Sequence, residues 1–559
     1  MAGMITGSRV LRDAVGSQRR QVGLSGLLMC GHQAGEALVP VLVGVVIDAA
    51  VATGDVGALL FWIAVLGVDF LFLSWSYRFG ARVAKAAEQR MDQRLRLQVA
   101  DRVLDPHGGA ETGRLPGSLV NLATSDTFRV AVMGFVLPMG AAAVVALAVG
   151  TVALLRISVP LGLLILLGTP PLLYAVHLLG KPLERRSGPE QERAALASGV
   201  AADLVAGVRV LKGIGAEPVA VRRYRRTSRD ALGATLRATR AQARFDGAVL
   251  AINGLFLALI ALVGGRMAAE GTISVGELVS AVGLAQFLVG PLEMFGEVMG
   301  WLAMARASAV RVADVLAAAP AVGAGDRPAP AQVTGALRLR GLAHGPLPAL
   351  DLDVPAGEIV GVVPADPAAA TALMRLLARE VDPEGGTVEL DGVALTAYPP
   401  QAARAAVVVS AHDAELFAGT LWENVAAGGD AVATAMAAAR ADQVAEALPD
   451  GVETAITEQG RSLSGGQRQR VALARALATG APVLVLHDPT TAVDAVTEAE
   501  IAEGLRAHRA GRTTLLLTTS PALLAVTDRV VLLDTDGTTT AGDHAALLDS
   551  ARYREVVLR

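Results

Sequence analysis

Over the first 305 residues the chain is written in long apolar runs; beyond that point the runs shorten and alternate with polar segments. The long runs cover 21–47, 57–79, 130–154, 159–179, 247–265 and 277–304. Each is near or above the roughly 20 residues that a helix needs to cross about 30 Å of hydrocarbon. Only a helix satisfies its own backbone groups there, so the pattern predicts six membrane helices. Pro40, Pro138, Pro160, Pro170 and Pro171 fall within these runs, which membrane bundles tolerate. Two long polar segments, 80–129 and 180–246, mostly lack Pro/Gly punctuation and read as helical extensions into water. Residues 317–335 (AAAPAVGAGDRPAPAQVTG) form an Ala/Pro/Gly-rich linker. After it, short β-branched runs such as Glu358–Val363 and Val483–Leu486 alternate with helical stretches, the pattern of a parallel sheet flanked by helices.

Charge orients the membrane part. With the N-terminus inside, the two inner segments carry 8 and 14 Lys plus Arg, whereas the outer turns carry only Arg156 and Arg266. That asymmetry places the N-terminus in the cytoplasm. Arg9, Arg12, Arg19 and Arg20 precede an apolar stretch without an A-x-A-like site, which reads as the first membrane helix rather than a cleavable signal. The 53% hydrophobic content and mean hydropathy of +0.48 are unusual for a soluble protein. A net charge of −4 gives no support for nucleic-acid binding. The single cysteine, Cys30, excludes an intrachain disulfide and reads as a small buried hydrophobe.

The most specific motif is Leu463-Ser464-Gly465-Gly466-Gln467-Arg468-Gln469-Arg470, running into the helical Val471–Leu477. Its physics is that of an anion site: glycines allow close backbone approach, a helix N-terminus presents free N–H groups, and Ser464 adds a hydroxyl donor. This motif is the ABC signature, and the chain resembles a half-transporter of the ABC exporter type. Further matches are Thr112-Gly113-Arg114 running on to Asn121 and Asp126, Val210–Glu217, Ala307–Val312, and Thr457-Glu458-Gln459-Gly460. The resemblance implies a membrane all-α six-helix exporter domain (1–316), the linker (317–335), and an α/β P-loop-NTPase-like ABC nucleotide-binding domain (336–559). It implies ATP and Mg²⁺ as cofactors and a location in the bacterial cytoplasmic membrane, multi-pass, with the nucleotide-binding domain cytoplasmic. In this family two nucleotide-binding domains pair head to tail, so Ser464, Gly465, Gly466 and Gln467, with Asp494 of the following loop, would contact ATP held by the other subunit.

Against the same family the chain's own ATP site is degenerate. The GxxGxGK[ST] loop reads Pro364-Ala365-Asp366-Pro367-Ala368-Ala369-Ala370-Thr371: all three glycines are replaced, Ala370 stands at the lysine, and Asp366 adds negative charge. Two prolines remove donors from a loop that works by lining up N–H groups around phosphate. Only Thr371 remains, at the magnesium-binding Ser/Thr position. His487 replaces the metal aspartate, and imidazole is a poor ligand for Mg²⁺. Asp488 replaces the water-activating glutamate, a loss expected to slow hydrolysis roughly 10²- to 10⁴-fold. His412 stands at the family's glutamine, in His412-Asp413-Ala414-Glu415-Leu416-Phe417, and Thr519 at the switch histidine. The adenine-stacking aromatic is missing too; only His344 lies in its neighbourhood. A metal held by His412 and His487 is the weaker reading, two lone histidines being more often structural.

Five supports of one reaction are thus replaced while the part serving another subunit's ATP is kept. The expected function is a catalytically degenerate subunit of a heterodimeric ATP-driven transporter, exporting a small molecule, peptide or lipid. Its expected partners are an intact ABC half-transporter, which would hold most of the ATP and Mg²⁺, membrane lipid and the transported substrate, and no nucleic acid. The alternatives are a non-hydrolytic membrane scaffold or regulator, a homodimer with an unfamiliar nucleotide site, or an importer with the exporter fold. Ionisable residues inside the predicted spans, His32, Glu36, Asp69, Glu293 and Glu297, should avoid lipid. They read either as a polar wall of the substrate path, favouring a cationic or polar cargo, or as interhelical hydrogen-bonding groups.

Overall fold

The computed structural model describes residues 5–330, 332–412 and 415–558, apart from the side chains of residues 173 and 182–187. Among them are six helices long and apolar enough to cross a membrane: α1 (Arg19–Val51), α2 (Val56–Val103), α3 (Pro116–Ile157), α4 (Val159–Ala206), α5 (Glu217–Ala269) and α6 (Val275–Leu316). The last residues of α1 and residues Leu122–Asp126 of α3 are wound as π-turns. Pro40 and Pro138 lie inside α1 and α3, while the turn between α3 and α4 is closed by Ser158, which caps α4 by accepting from the Leu161 amide. The two polar segments are helical over most of their length, broken at 104–115 and around 207–216, so α2 and α4 run well beyond the length their apolar stretches require.

The chain forms two compact units. The first comprises Met1–Val99 and Val120–Asp314; the second joins Ala100–Leu119 to Val315–Arg559. Within the first, Leu154, Leu161, Ile165, Ile260, Leu284 and Leu288 make a fully buried cluster between the helices. By contrast, α2 presents Leu60, Phe61, Ile63, Val68, Leu71, Phe72 and Trp75 outward, a surface only a bilayer can cover without cost. The carboxylate of Asp126, buried on α3, accepts from the Arg311 Nε at 2.9 Å and Nη2 at 2.5 Å, and from Ser308 Oγ at 2.9 Å. Both partners lie on α6, so this fork ties α3 to α6.

In the second unit, β1 (Leu337–His344), β2 (Leu347–Val354), β4 (Gly385–Leu390) and β5 (Val393–Ala394) form an antiparallel sheet in the order β2-β1-β4-β5. A six-stranded sheet has the order β12-β11-β3-β10-β9-β6, from β3 (Ile359–Pro364), β6 (Val407–Ser410), β9 (Val483–His487), β10 (Thr513–Leu517), β11 (Arg529–Leu533) and β12 (Thr539–Gly542). Only β12 is antiparallel in it. The inner strands are apolar over most of their length because both faces are covered. One face packs on α7 (Pro367–Leu377), the other on α8 (Gly465–Ala478) and α9 (Ala495–His508). A small ladder pairs β7 (Gly419–Thr420) with β8 (Ala455–Ile456). The segment 100–119 is fastened to the start of the linker: the Arg102 guanidinium donates to the carbonyls of Gly108 (3.0 Å) and Ala318 (2.8 Å), and the Ala321 amide donates to the His107 carbonyl.

Arg509 is fully buried at the end of α9 and donates to the carbonyls of Ala481 (2.8 Å), Pro482 (3.3 Å) and Thr513 (2.8 Å) and to Thr514 Oγ1 (3.0 Å). Burial, with some repulsion from Arg512, brings its guanidinium down to about 10, so it stays charged at physiological pH. Replacing it leaves these acceptors unpaired in the core. Arg509→Met should lower the stability of the C-terminal unit by about 3 kcal/mol, read as an earlier midpoint in denaturant.

Candidate functional site: two helix N-termini on one sheet

β3 ends at Pro364, and the turn into α7 is made by Ala365 and Asp366. Asp366 is the N-cap: its carboxylate accepts from the Ala368 amide at 2.9 Å. Pro367 opens the helix, where its missing N–H costs nothing. Ala370, expected from the sequence at the family's lysine position, is 1% exposed and forms part of the core under the sheet. Thr371 is exposed, but its hydroxyl donates back to the Pro367 carbonyl at 3.1 Å. At this helix start the first free N–H already has an anion of its own.

His487 ends β9, and Asp488 follows in a left-handed conformation (φ 43°), a region that Asp tolerates better than most residues. Asp488 donates its amide to the Leu517 carbonyl, and its carboxylate lies 3.8 Å from His487 Nε2. The rings of His412 and His487 meet edge to face with centroids 5.2 Å apart. The structure therefore brings together two residues that sequence spacing placed only by motif. Asp413 and Ala414 of the same motif lie outside the described residues. Among the described residues no group of three or more His, Cys, Asp or Glu is placed to hold a metal ion. Thr519 is exposed after β10, and His344 on β1 faces Glu384 at 3.5 Å.

The second helix start is built differently. Ser464 caps α8 in a reciprocal box: its hydroxyl accepts from the Gln467 amide (3.2 Å) and Gln467 Oε1 accepts from the Ser464 amide (2.8 Å). Both caps are neutral, and Ser464 is exposed. Gly466 is required where it stands, since a Cβ there would come within 2.6 Å of the Ala492 carbonyl oxygen. Gln469, buried one turn along, donates to Thr491 Oγ1 (2.7 Å) and accepts from the Ala492 amide (2.8 Å). It thereby pins the loop carrying Asp494 against the signature helix. Sequence reasoning missed this role, although Gln469 stands within the signature itself. Asp494 caps α9 through the Thr497 amide at 3.0 Å and is exposed beside the signature loop.

The polar residues of the membrane spans separate into two sets. His32 Nδ1 donates to the Leu73 carbonyl (2.9 Å); the ring lies 3.7 Å from Glu36 and 5.0 Å, ring to ring, from Tyr77. Asp69, on the same α1–α2 contact, would touch a Cβ at Gly35 at 3.1 Å and keeps one buried oxygen without a hydrogen bond. Glu293 and Glu297 are exposed on α6.

Residues 22–292 match the ABC transporter transmembrane region family and residues 347–491 the ABC transporter family. An ATP-dependent lipid A-core flippase of Thiobacillus denitrificans is 31% identical over 401 residues, 69% of either chain. The chain belongs to the ABC transporter family, exporter type. A multidrug efflux ATP-binding/permease protein of Mycobacterium tuberculosis is 32% identical over 536 residues, 93% of this chain; the chain spans 44% of that relative's length. A second lipid A-core flippase, from Ralstonia nicotianae, is 40% identical over 211 residues, 36% of each chain. This ABC transporter chain is accordingly a multi-pass protein of the bacterial cytoplasmic membrane with its nucleotide-binding domain on the cytoplasmic side.

The caps make two measurable statements. Asp366→Ala should cost about 1 kcal/mol in denaturant unfolding, while Asp366→Asn, which can still accept, should cost little. At α9 the Thr497 backbone amide holds the Asp494 carboxyl below the usual carboxylate range. A depressed pKa gives stabilisation that is present above the ordinary value of about 4 and lost as pH falls through the lower folded value. The protection factor of the Thr497 amide, exchange measured against its intrinsic rate, should therefore be full at neutral pH and fall under more acidic conditions.

Proposed function

We propose that this chain is the non-hydrolysing half of a heterodimeric ABC exporter, lending its signature to ATP held by a different, intact half-transporter. The observation that carries this reading is the contrast between the two helix starts. At α7 a carboxylate caps the helix, prolines replace two glycines and the lysine position is a buried alanine. A triphosphate carries several negative charges and needs N–H donors and a cation, so these residues do not fit it. At α8 the cap is neutral, exposed and glycine-flanked, and the loop holding Asp494 is locked beside it.

The composite site then consists of the partner's phosphate loop, metal aspartate, glutamate and histidine, closed by Ser464, Gly465, Gly466 and Gln467 of this chain. Exposed apolar residues on the cytoplasmic turn between α4 and α5, Val205, Val208, Val210 and Ile214, support a partner as well, because they are left uncovered on this chain. Mg²⁺ belongs with the partner-held nucleotide, since His487 and Asp488 offer one carboxylate between them. The cargo is a lipid or an amphipathic small molecule, by analogy with the flippase and multidrug efflux relatives. The low polarity of the helix surfaces agrees with that class.

Purified alone in lipid, the chain should show no magnesium-dependent ATP turnover above background. Co-expressed with an intact half-transporter, Ser464→Arg should abolish turnover by obstructing the partner's γ-phosphate. Asp488→Glu should change it less than twofold. A several-fold rise from Asp488→Glu would mean that this chain's own pocket hydrolyses ATP after all.

A further inference from the structure

Outside the nucleotide-binding domain, the ends of α1, α3 and α6 enclose an open cavity of about 610 Å³. Its wall is apolar over most of its length, with Leu38, Val41 and Val45 from α1 and Val149 and Val152 from α3. Besides the hydroxyl of Ser280 beside Gly44, its polar groups are all charged and occur at one end only: Asp48, Arg156 and Glu277. These three stand in the last turns of α1 and α3 and the first turn of α6. Because α6 runs on into the cytoplasmic domain, that end is the outer face of the membrane.

The two carboxylates are already used. Asp48 accepts from the Gly276 amide at 2.9 Å and from the Ser274 hydroxyl, and Glu277 accepts from the Ser274 amide at 2.8 Å while the Ser274 hydroxyl caps the Glu277 amide. Together they satisfy the N-terminus of α6. Arg156 is exposed and has no ion pair or hydrogen bond among the described residues. The cavity thus offers one uncommitted guanidinium at its outer mouth above an apolar trough. From Leu38 to Asp48 the trough follows ten residues of helix, about 15 Å at 1.5 Å per residue, or half of a hydrocarbon core of about 30 Å.

We infer that this cavity is a binding site for a phospholipid of the outer leaflet, its phosphate on Arg156 and one acyl chain along Val41, Val45, Val149 and Val152. The length matches one leaflet, the polarity changes at the depth where a headgroup begins, and the free charge has the sign and fork geometry that phosphate requires. Leu38 and Val152, 43% and 60% exposed, leave the trough open for lateral entry. Occupancy here does not depend on ATP or on which half of the transporter hydrolyses it.

The test is native mass spectrometry of the full-length chain, delipidated in detergent and titrated with dioleoyl phosphatidylglycerol. One phosphatidylglycerol should be retained well above the annular background. Arg156→Ala should weaken it at least tenfold, Arg156→Lys less, and Arg266→Ala, the other outer-side arginine, not at all. Val152→Trp, which fills the trough and leaves Arg156 in place, should also abolish retention; it covers the case in which Arg156→Ala fails to fold. The assignment is overturned if Arg156→Ala or Val152→Trp retains the lipid unchanged, or if Arg266→Ala weakens it equally. It is also overturned if dioleoylglycerol, lacking phosphate, binds as tightly, or if inorganic phosphate alone competes at equal concentration.

Discussion

An α-helix begins with backbone N–H groups that no residue of the helix can satisfy, and much of this protein's chemistry turns on what satisfies them. The nucleotide-binding fold sets two such helix starts against one largely parallel sheet, those of α7 and α8. In α7 the acceptor is a carboxylate from the chain itself. In α8 it is a serine hydroxyl, which is neutral and can donate as well as accept. A charged cap stabilises its helix more than a neutral one near the positive end of the macrodipole, and it excludes a second anion for the same reason. One helix start thus carries an anion of its own, whereas the other carries a neutral, exposed cap.

The same logic recurs in the membrane part. The first turn of α6 is capped by Ser274, Glu277 and Asp48, two carboxylates in a region where charge is costly. Their engagement holds the outer ends of α1 and α6 together. It also explains why Gly276 has no side chain: the backbone of α1 passes too close for a Cβ.

Much of this was legible in the sequence. Six apolar runs gave six helices, because length and hydropathy alone decide what can span a bilayer, and the signature motif placed Ser464 to within the residue. Asp366 was recognised as a charge in the wrong place, but its capping role depends on local backbone geometry that spacing does not encode. The side-chain fork from Asp126 to Arg311 was hidden for a different reason: the two motifs that contain them were each visible, yet nothing in a linear pattern states that they touch. The same holds for Gln469 and for the ring contact of His412 with His487, which join loops far apart in sequence. Of the polar residues in the spans, His32 and Glu36 pair within the α1–α2 contact, Asp69 is half-buried there, and Glu293 and Glu297 are exposed on α6, a difference set by helix rotation rather than composition.

The fork at Asp126 has a mechanical consequence. A buried carboxylate held by a guanidinium and a serine is costly to release, so the fork opposes any slip of α3 past α6 by a helical turn. The fork therefore favours their moving together as a single strut when the bundle rocks.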